Sequence, residues 1–190
     1  MLSIRLIWIN AAAFALLWLM PRPMFVWFAL WPLASSGPSG SFAPWQLLSY
    51  SFLHGSLAHL LFNMWALYMF GPPLESVFGR RRFMIYYLVC AVGAGLVQLF
   101  VATASGQHYP TVGASGAIFG LLLAFGMLFP NRMILLIFPP IPLKAKWFVV
   151  IVGGIELLLG ITGSMPQVAH FAHLGGMLFG FALLWKWSNR

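Results

Sequence analysis

Six polar residues, His54, His59, Asn63, Ser115, His170 and His173, stand at the edges of otherwise apolar runs. Polar groups in such runs are costly and by default mark function or helix association. A serine held beside an imidazole makes a nucleophile and general base for acyl transfer. Ser115 lies in Gly113-Ala-Ser115-Gly116, so flexible backbone at Gly113 precedes it and a helix begins at or just after it. Free amides at a helix start hold an oxyanion. His59 and Asn63, four residues apart, share a helical face and supply side-chain donors to the same charge.

What is missing narrows the chemistry. The chain has no aspartate, which removes both paired-aspartate proteolysis and a Ser-His-Asp triad. Glu75 falls towards the cytoplasmic end of its segment, and Glu156 has no histidine near it in sequence, so the serine is expected to work with histidine as a dyad. Glu156 reads as a helix-to-helix hydrogen-bonding group. Lys144, Lys146 and Lys186 lie on the far side from Ser115, which removes a Ser-Lys pair, and there is no His-Glu-x-x-His zinc motif. The single cysteine, Cys90, sits mid-segment and reads as core packing. His108 reads as a solvated loop residue.

The elements that must position these groups are membrane helices. Residues of the hydrophobic class make up 62% of the chain and charged residues 6%, with a mean hydropathy of +0.92. No water-soluble fold of this length hides that much apolar surface. The apolar runs lack period-two alternation, so they are helices and not barrel strands. The formal charge of +8 would suggest nucleic acid in a soluble protein. Here the basic residues sit at the ends of apolar runs, where they orient the chain, and nucleic acid is discounted.

Six spans are expected, at about 4–20, 57–70, 83–104, 115–129, 145–161 and 168–187. The first follows one arginine but has no small-residue cleavage site before Pro21, so it is read as a retained span and not as a leader. Segment 24–33, rich in Trp and Phe, is too short to cross a core of about 30 Å and reads as interfacial or re-entrant. Segment 34–44, rich in Ser, Gly and Pro, reads as a flexible outer loop. On this map Arg5, Arg80, Arg81, Arg82, Arg132, Lys144, Lys146, Lys186 and Arg190 fall on one side and only Arg22 on the other. Both termini are then cytoplasmic. Ser115 lies roughly 25 Å along its helix from Arg132, and His173 roughly 20 Å from Lys186, so both belong to the outer third of the bilayer. Gly116 with Gly120, and Gly176 with Gly180, form small-residue stripes that let spans four and six approach closely. Helical spacing leaves His170 as a rival to His173, while the glycines after His173 favour it.

Three blocks carry a family resemblance: His54-Gly-Ser-Leu-Ala-His59-Leu-Leu-Phe-Asn63, Gly113-Ala-Ser115-Gly-Ala-Ile-Phe-Gly120, and Ala172-His173-Leu-Gly-Gly176 with Gly180. With the Trp45-Gln-Leu-Leu approach and Glu75 before Gly79, they resemble the rhomboid family of intramembrane serine proteases from about residue 45 onward. The resemblance implies a single all-α, six-helix transmembrane domain over 1–190, with Ser115 as nucleophile and His173 as general base. It places His59, Asn63 and the Ser115 amide around the oxyanion, with His54 and Gly113 supporting. It implies single-span membrane proteins as substrates, the lipid bilayer as surroundings, and no cofactor or metal. The expected location is a bacterial plasma membrane, with the site open to the extracytoplasmic side. Two features depart from the family pattern. The Trp-Arg pair common in the first loop is missing, and Phe119 stands where many members have a tyrosine that packs on the catalytic histidine. Two other readings stand beside this one. One is an inactive relative that binds membrane clients. The other is a metal or haem protein ligated by His54, His59, His170 and His173, which leaves Ser115 and Asn63 unexplained.

Overall fold

The structure, a computed structural model, describes residues 1–33, 35, 40–135 and 140–189. It is helical apart from one short hairpin. The order is α1 (Leu2–Leu19), α2 (Pro21–Phe28), α3 (Gln46–Ser49) running into a 3-10 turn (Tyr50–Phe52), α4 (Leu57–Ala104), α5 (Ser115–Leu128), β1 (Met133–Leu135), β2 (Pro142–Lys144), α6 (Ala145–Thr162) and α7 (His170–Ser188). Of these, α1, α4 and α6 are long and apolar enough to cross a membrane, and α5 is a shorter apolar helix. The loop expected at 34–44 falls partly on residues 34 and 36–39, outside the described residues.

α4 is two helices joined at Gly79, whose dihedrals (φ 72°, ψ 162°) break the spiral. The sequence reading ends the first of them at residue 70, ahead of Gly71-Pro72-Pro73, yet the helix continues to the break. Prolines are tolerated in apolar helices because neighbouring elements and local adjustments satisfy the freed carbonyls. The extra turns bring Glu75 to the start of α1. Its carboxylate accepts the Leu2 N–H at 2.6 Å, the Ser3 N–H at 2.9 Å and the Ser3 hydroxyl at 2.8 Å. The first N–H groups of a helix have no partners within it and favour negative charge. Glu75 is thus the acid that anchors α1.

The core lies between α4, α5 and α7, where Leu67, Leu74, Phe83, Tyr86, Tyr87 and Leu121 are fully buried. Cys90 is buried in the same cluster, as expected. The outer surface is apolar: Trp8, Trp18, Phe100 and Ile161 are each more than 70% exposed. A surface of that kind suits lipid and not water.

The helix directions gather the basic residues at one end. Arg82 lies over the Trp187 ring at 5.8 Å, so the last turns of α7 sit beside the Gly79 break. The Ala145 N–H donates to the Arg132 carbonyl at 2.9 Å and joins the end of α5 to the start of α6 through the hairpin. Arg22 is at the opposite end, with Ser115. There α2 shows no buried residue, whereas Ala29, Leu30 and Trp31, in the second half of the segment read as interfacial or re-entrant, are buried. α2 is tied down by Trp45 Nε1 donating to the Trp27 carbonyl and by the Ser49 hydroxyl donating to the Phe28 carbonyl.

Candidate active site

Ser115 opens α5, a helix of 14 residues and so roughly 21 Å long, shorter than a hydrocarbon core. The residue two before it, Gly113, has φ +130°, a conformation that side chains disfavour. A Cβ there would also lie 2.8 Å from His59 Cε1. The Gly113 N–H donates to the Tyr50 carbonyl at 3.0 Å, and the Tyr50 hydroxyl donates to the Ala91 carbonyl at 2.9 Å. The turn before Ser115 is therefore anchored to α4.

The second glycine that matters is Gly176 on α7, where a Cβ would be driven into the Gly116 carbonyl of α5. This backbone-to-backbone seam sets the distance between the helices. One turn earlier on α7, His173 faces Ser115, with Nε2 2.8 Å from Oγ. Phe119 stacks on the His173 ring, centroids 4.1 Å apart and planes 3° apart. The aromatic face expected in place of a tyrosine is present.

His59 is held by Ser56, whose hydroxyl oxygen accepts the His59 N–H at 3.1 Å as the cap of α4. Asn63 Nδ2 donates to the His59 carbonyl at 2.9 Å, which uses one of its two N–H groups and leaves the other for a ligand. Ser115, His173, His59, Asn63, Phe119 and His170 line one open cavity of about 1110 Å³. His54 is fully buried behind it, edge-on to the His59 ring at 5.0 Å. His108 is exposed in the loop between α4 and α5.

Glu156 needs a correction. Sequence separation seemed to leave it without a histidine, but α6 packs on α7 and brings its Oε2 to 2.7 Å from His170 Nδ1 and 2.9 Å from His173 Nδ1. It does bond helix to helix, as expected, yet it also stands directly behind His173, whose other ring nitrogen faces Ser115. The sequence separation that argued against a carboxylate beside the site does not keep Glu156 away from His173. The two contacts differ. The His170 pair is aligned as a hydrogen bond. The His173 pair is close enough but too bent to be one, and it leaves that nitrogen buried without a hydrogen-bond partner. His170 is also committed on its other side, where Nε2 lies 3.1 Å from the Ser164 carbonyl. His170 therefore partners Glu156, and of the two histidines it is His173 that contacts Ser115. The four histidines considered as ligands do not form one group among the described residues; the donors within mutual reach are Glu156, His170 and His173.

Residues 41–190 match the family model for the Rhomboid domain. The chain is 37% identical over 140 residues to RHOMBOID-like protein 2 of Arabidopsis thaliana, covering 73% of this chain and 41% of that one. It is 31% identical over 150 residues to the rhomboid protein YdcA of Bacillus subtilis (strain 168), covering 77% and 70%. It is 30% identical over 194 residues to the presenilin-associated rhomboid-like protein, mitochondrial, of Rattus norvegicus, covering 93% and 48%. The chain thus spans less than half the length of the plant and rat relatives. The motif blocks on α4, α5 and α7, the helical core they build and a match across 41–190 agree: the chain belongs to the rhomboid family.

Proposed function

We propose that the chain is a serine endopeptidase that cuts other membrane proteins in or near their transmembrane segments, with Ser115 as nucleophile and His173 as general base. The observation that carries this reading is the 2.8 Å contact between Ser115 Oγ and His173 Nε2 on the wall of an open cavity. Hydrolysis at bilayer depth needs such a cavity to admit water.

In this reading the Ser115 hydroxyl donates to His173 Nε2, which takes the proton as Oγ attacks the scissile carbonyl. The oxyanion is met by the Ser115 N–H at the helix start, by the free N–H of Asn63 and by the His59 ring. The protonated His173 gives its proton to the leaving amine. Water from the cavity, activated by the same imidazole, then releases the acyl group. Glu156 accepts from His173 Nδ1–H, and the bent 2.9 Å contact straightens as positive charge develops on the ring, since catalytic hydrogen bonds tighten towards the transition state.

The chain spans the bilayer six times in a single domain, counting α4 as two spans. The end bearing Arg80–Arg82 and both termini is cytoplasmic, and the cavity opens on the extracytoplasmic face of a plasma membrane. Accessible carbonyls at that depth belong to single-span proteins whose helices unwind near the outer surface.

The test is cleavage of a fluorescent transmembrane substrate by detergent-solubilised protein. Ser115→Ala and His173→Ala are expected to reduce cleavage to background while leaving folding intact. Cleavage that persists in Ser115→Ala overturns the mechanism, and a folded wild-type chain that binds substrates without cutting them favours the client-binding reading.

A further inference from the structure

One carboxylate oxygen of Glu156 is shared between the Nδ1 atoms of His170 and His173. The Ser164 carbonyl can only accept, so His170 Nε2 carries a hydrogen and donates to it at 3.1 Å. A neutral His170 would then aim its Nδ1 lone pair at Glu156 Oε2, 2.7 Å away. Two electron pairs cannot face one another at that distance, so one extra proton sits between them. On the other side of the same oxygen, His173 Nδ1 is buried, lacks an aligned hydrogen-bond partner and lies 2.9 Å from Oε2. Three donor atoms, two imidazole nitrogens and one carboxylate oxygen, thus lie within 4.8 Å of one another.

We infer that this is a site for a zinc-class divalent ion, which arrests the protease by taking the back of its base; the regulatory part rests on the function proposed above. The donor set of two imidazoles and one carboxylate suits zinc and not magnesium or calcium, which prefer all-oxygen shells. Histidine ligands of metals usually donate their other ring N–H to a carbonyl or carboxylate, and His170 already does so to Ser164. His170 and His173 line the cavity, which gives the ion an entry path and water for the fourth ligand. Bonds of about 2.1 Å at tetrahedral angles separate donors by roughly 3.4 Å, so Glu156 must retreat by somewhat more than half an ångström from its present 2.7 and 2.9 Å, and the two imidazole nitrogens, within 4.8 Å of one another, must draw closer by rotation of the rings. α6 can move by that much, because Ala145 and Val149, two turns or more away from Glu156, are its only buried residues among those described.

The protons balance. Before binding, the site holds a carboxylate, one imidazolium proton shared with His170, and a neutral His173 protonated at Nδ1. The ion replaces the shared proton, which leaves to solvent. His173 keeps one proton but carries it on Nε2, since Nδ1 now binds the metal. An Nε2–H cannot accept the Ser115 hydroxyl proton, so the nucleophile is no longer activated.

Zinc binding is measured on detergent-purified Ser115→Ala by calorimetry and by metal content after desalting. Arrest is measured on the wild type as the rate of Ser115 labelling by a fluorophosphonate probe. The expected result is one zinc per chain, release of about one proton in weak buffer, loss of labelling in zinc, and recovery with a chelator. His170→Ala removes a ligand and should raise the zinc concentration needed for arrest by more than the about 10- to 100-fold that loss of an outer-shell partner costs. Zinc bound by Ser115→Ala but not by Ser115→Ala/His170→Ala supports the site even if no substrate is cleaved, which isolates a failure of the protease reading. Equal binding by those two variants, both folded by circular dichroism, overturns it, as does equal arrest by magnesium.

Discussion

α7 has two neighbours at the candidate site, and they hold it in different ways. On one side is α5, with nine of its 14 residues buried; glycine faces glycine across that seam, and a single methyl group at Gly176 would strike the Gly116 carbonyl. On the other side is α6, with two of 18 residues buried and a polar link, Glu156 to His170 and His173, near its end. Close packing of backbones leaves no slack, because interiors are as dense as crystals. A few polar contacts on a lipid-facing helix leave a good deal. The Ser115–His173 contact is set by the rigid seam, and the Glu156 carboxylate behind His173 by the adjustable one.

The largest effect should come from breaking the rigid side. Gly176→Ala is expected to push the helices apart, at about 1–3 kcal/mol of stability, and to lower fluorophosphonate labelling of Ser115 by more than 100-fold. A labelling rate within threefold of wild type would show that the seam does not set the distance. On the adjustable side, Glu156→Gln keeps the shape but cannot offer one oxygen to both histidines; kcat should fall about 10- to 100-fold, the roughly 1.5–3 kcal/mol of a hydrogen bond to a charged group, with KM unchanged. A matching rise in KM would point to substrate entry instead. Phe119→Ala removes the ring stacked on His173 and should cost about 0.5–1.5 kcal/mol, a two- to tenfold loss of kcat/KM. The smallest effect is expected at Leu158 of α6, which is 61% exposed: Leu158→Ala should stay within about 0.5 kcal/mol of wild-type stability in a denaturation series. A larger loss there would mean that α6 is held more firmly than its packing indicates.

The three motif blocks were legible because each is local: a cap, a turn or a glycine stripe one helical turn from the residue it serves. Gly113 before Ser115 announces a flexible turn, and Gly176 after His173 close approach, by their type alone. Glu156 was legible only as an anomaly, an acid among Ile155, Leu157 and Leu158. Its cost in such a run signalled a partner, but the partners are 14 and 17 positions away on another helix. Gln46 behaved likewise: its side chain is buried, accepts the Trp31 N–H at 3.2 Å and donates to the Ser41 carbonyl at 3.0 Å, none of which its place in the Trp45-Gln-Leu-Leu motif reveals. The end of the first limb of α4 was misplaced at residue 70 because Gly-Pro-Pro reads as a stop in water and not in an apolar environment.

By itself the sequence determined that the chain is helical and apolar, which way its basic ends gather, and that Ser115 and His173 stand at helix starts. Those are consequences of composition and short-range spacing. Only the tertiary structure decided which nitrogen of His173 meets Ser115, that His170 belongs to Glu156, and that a carboxylate stands behind His173. Those depend on the rotation and slide of α6 and α7 against one another, which many distant contacts set together and no local pattern encodes.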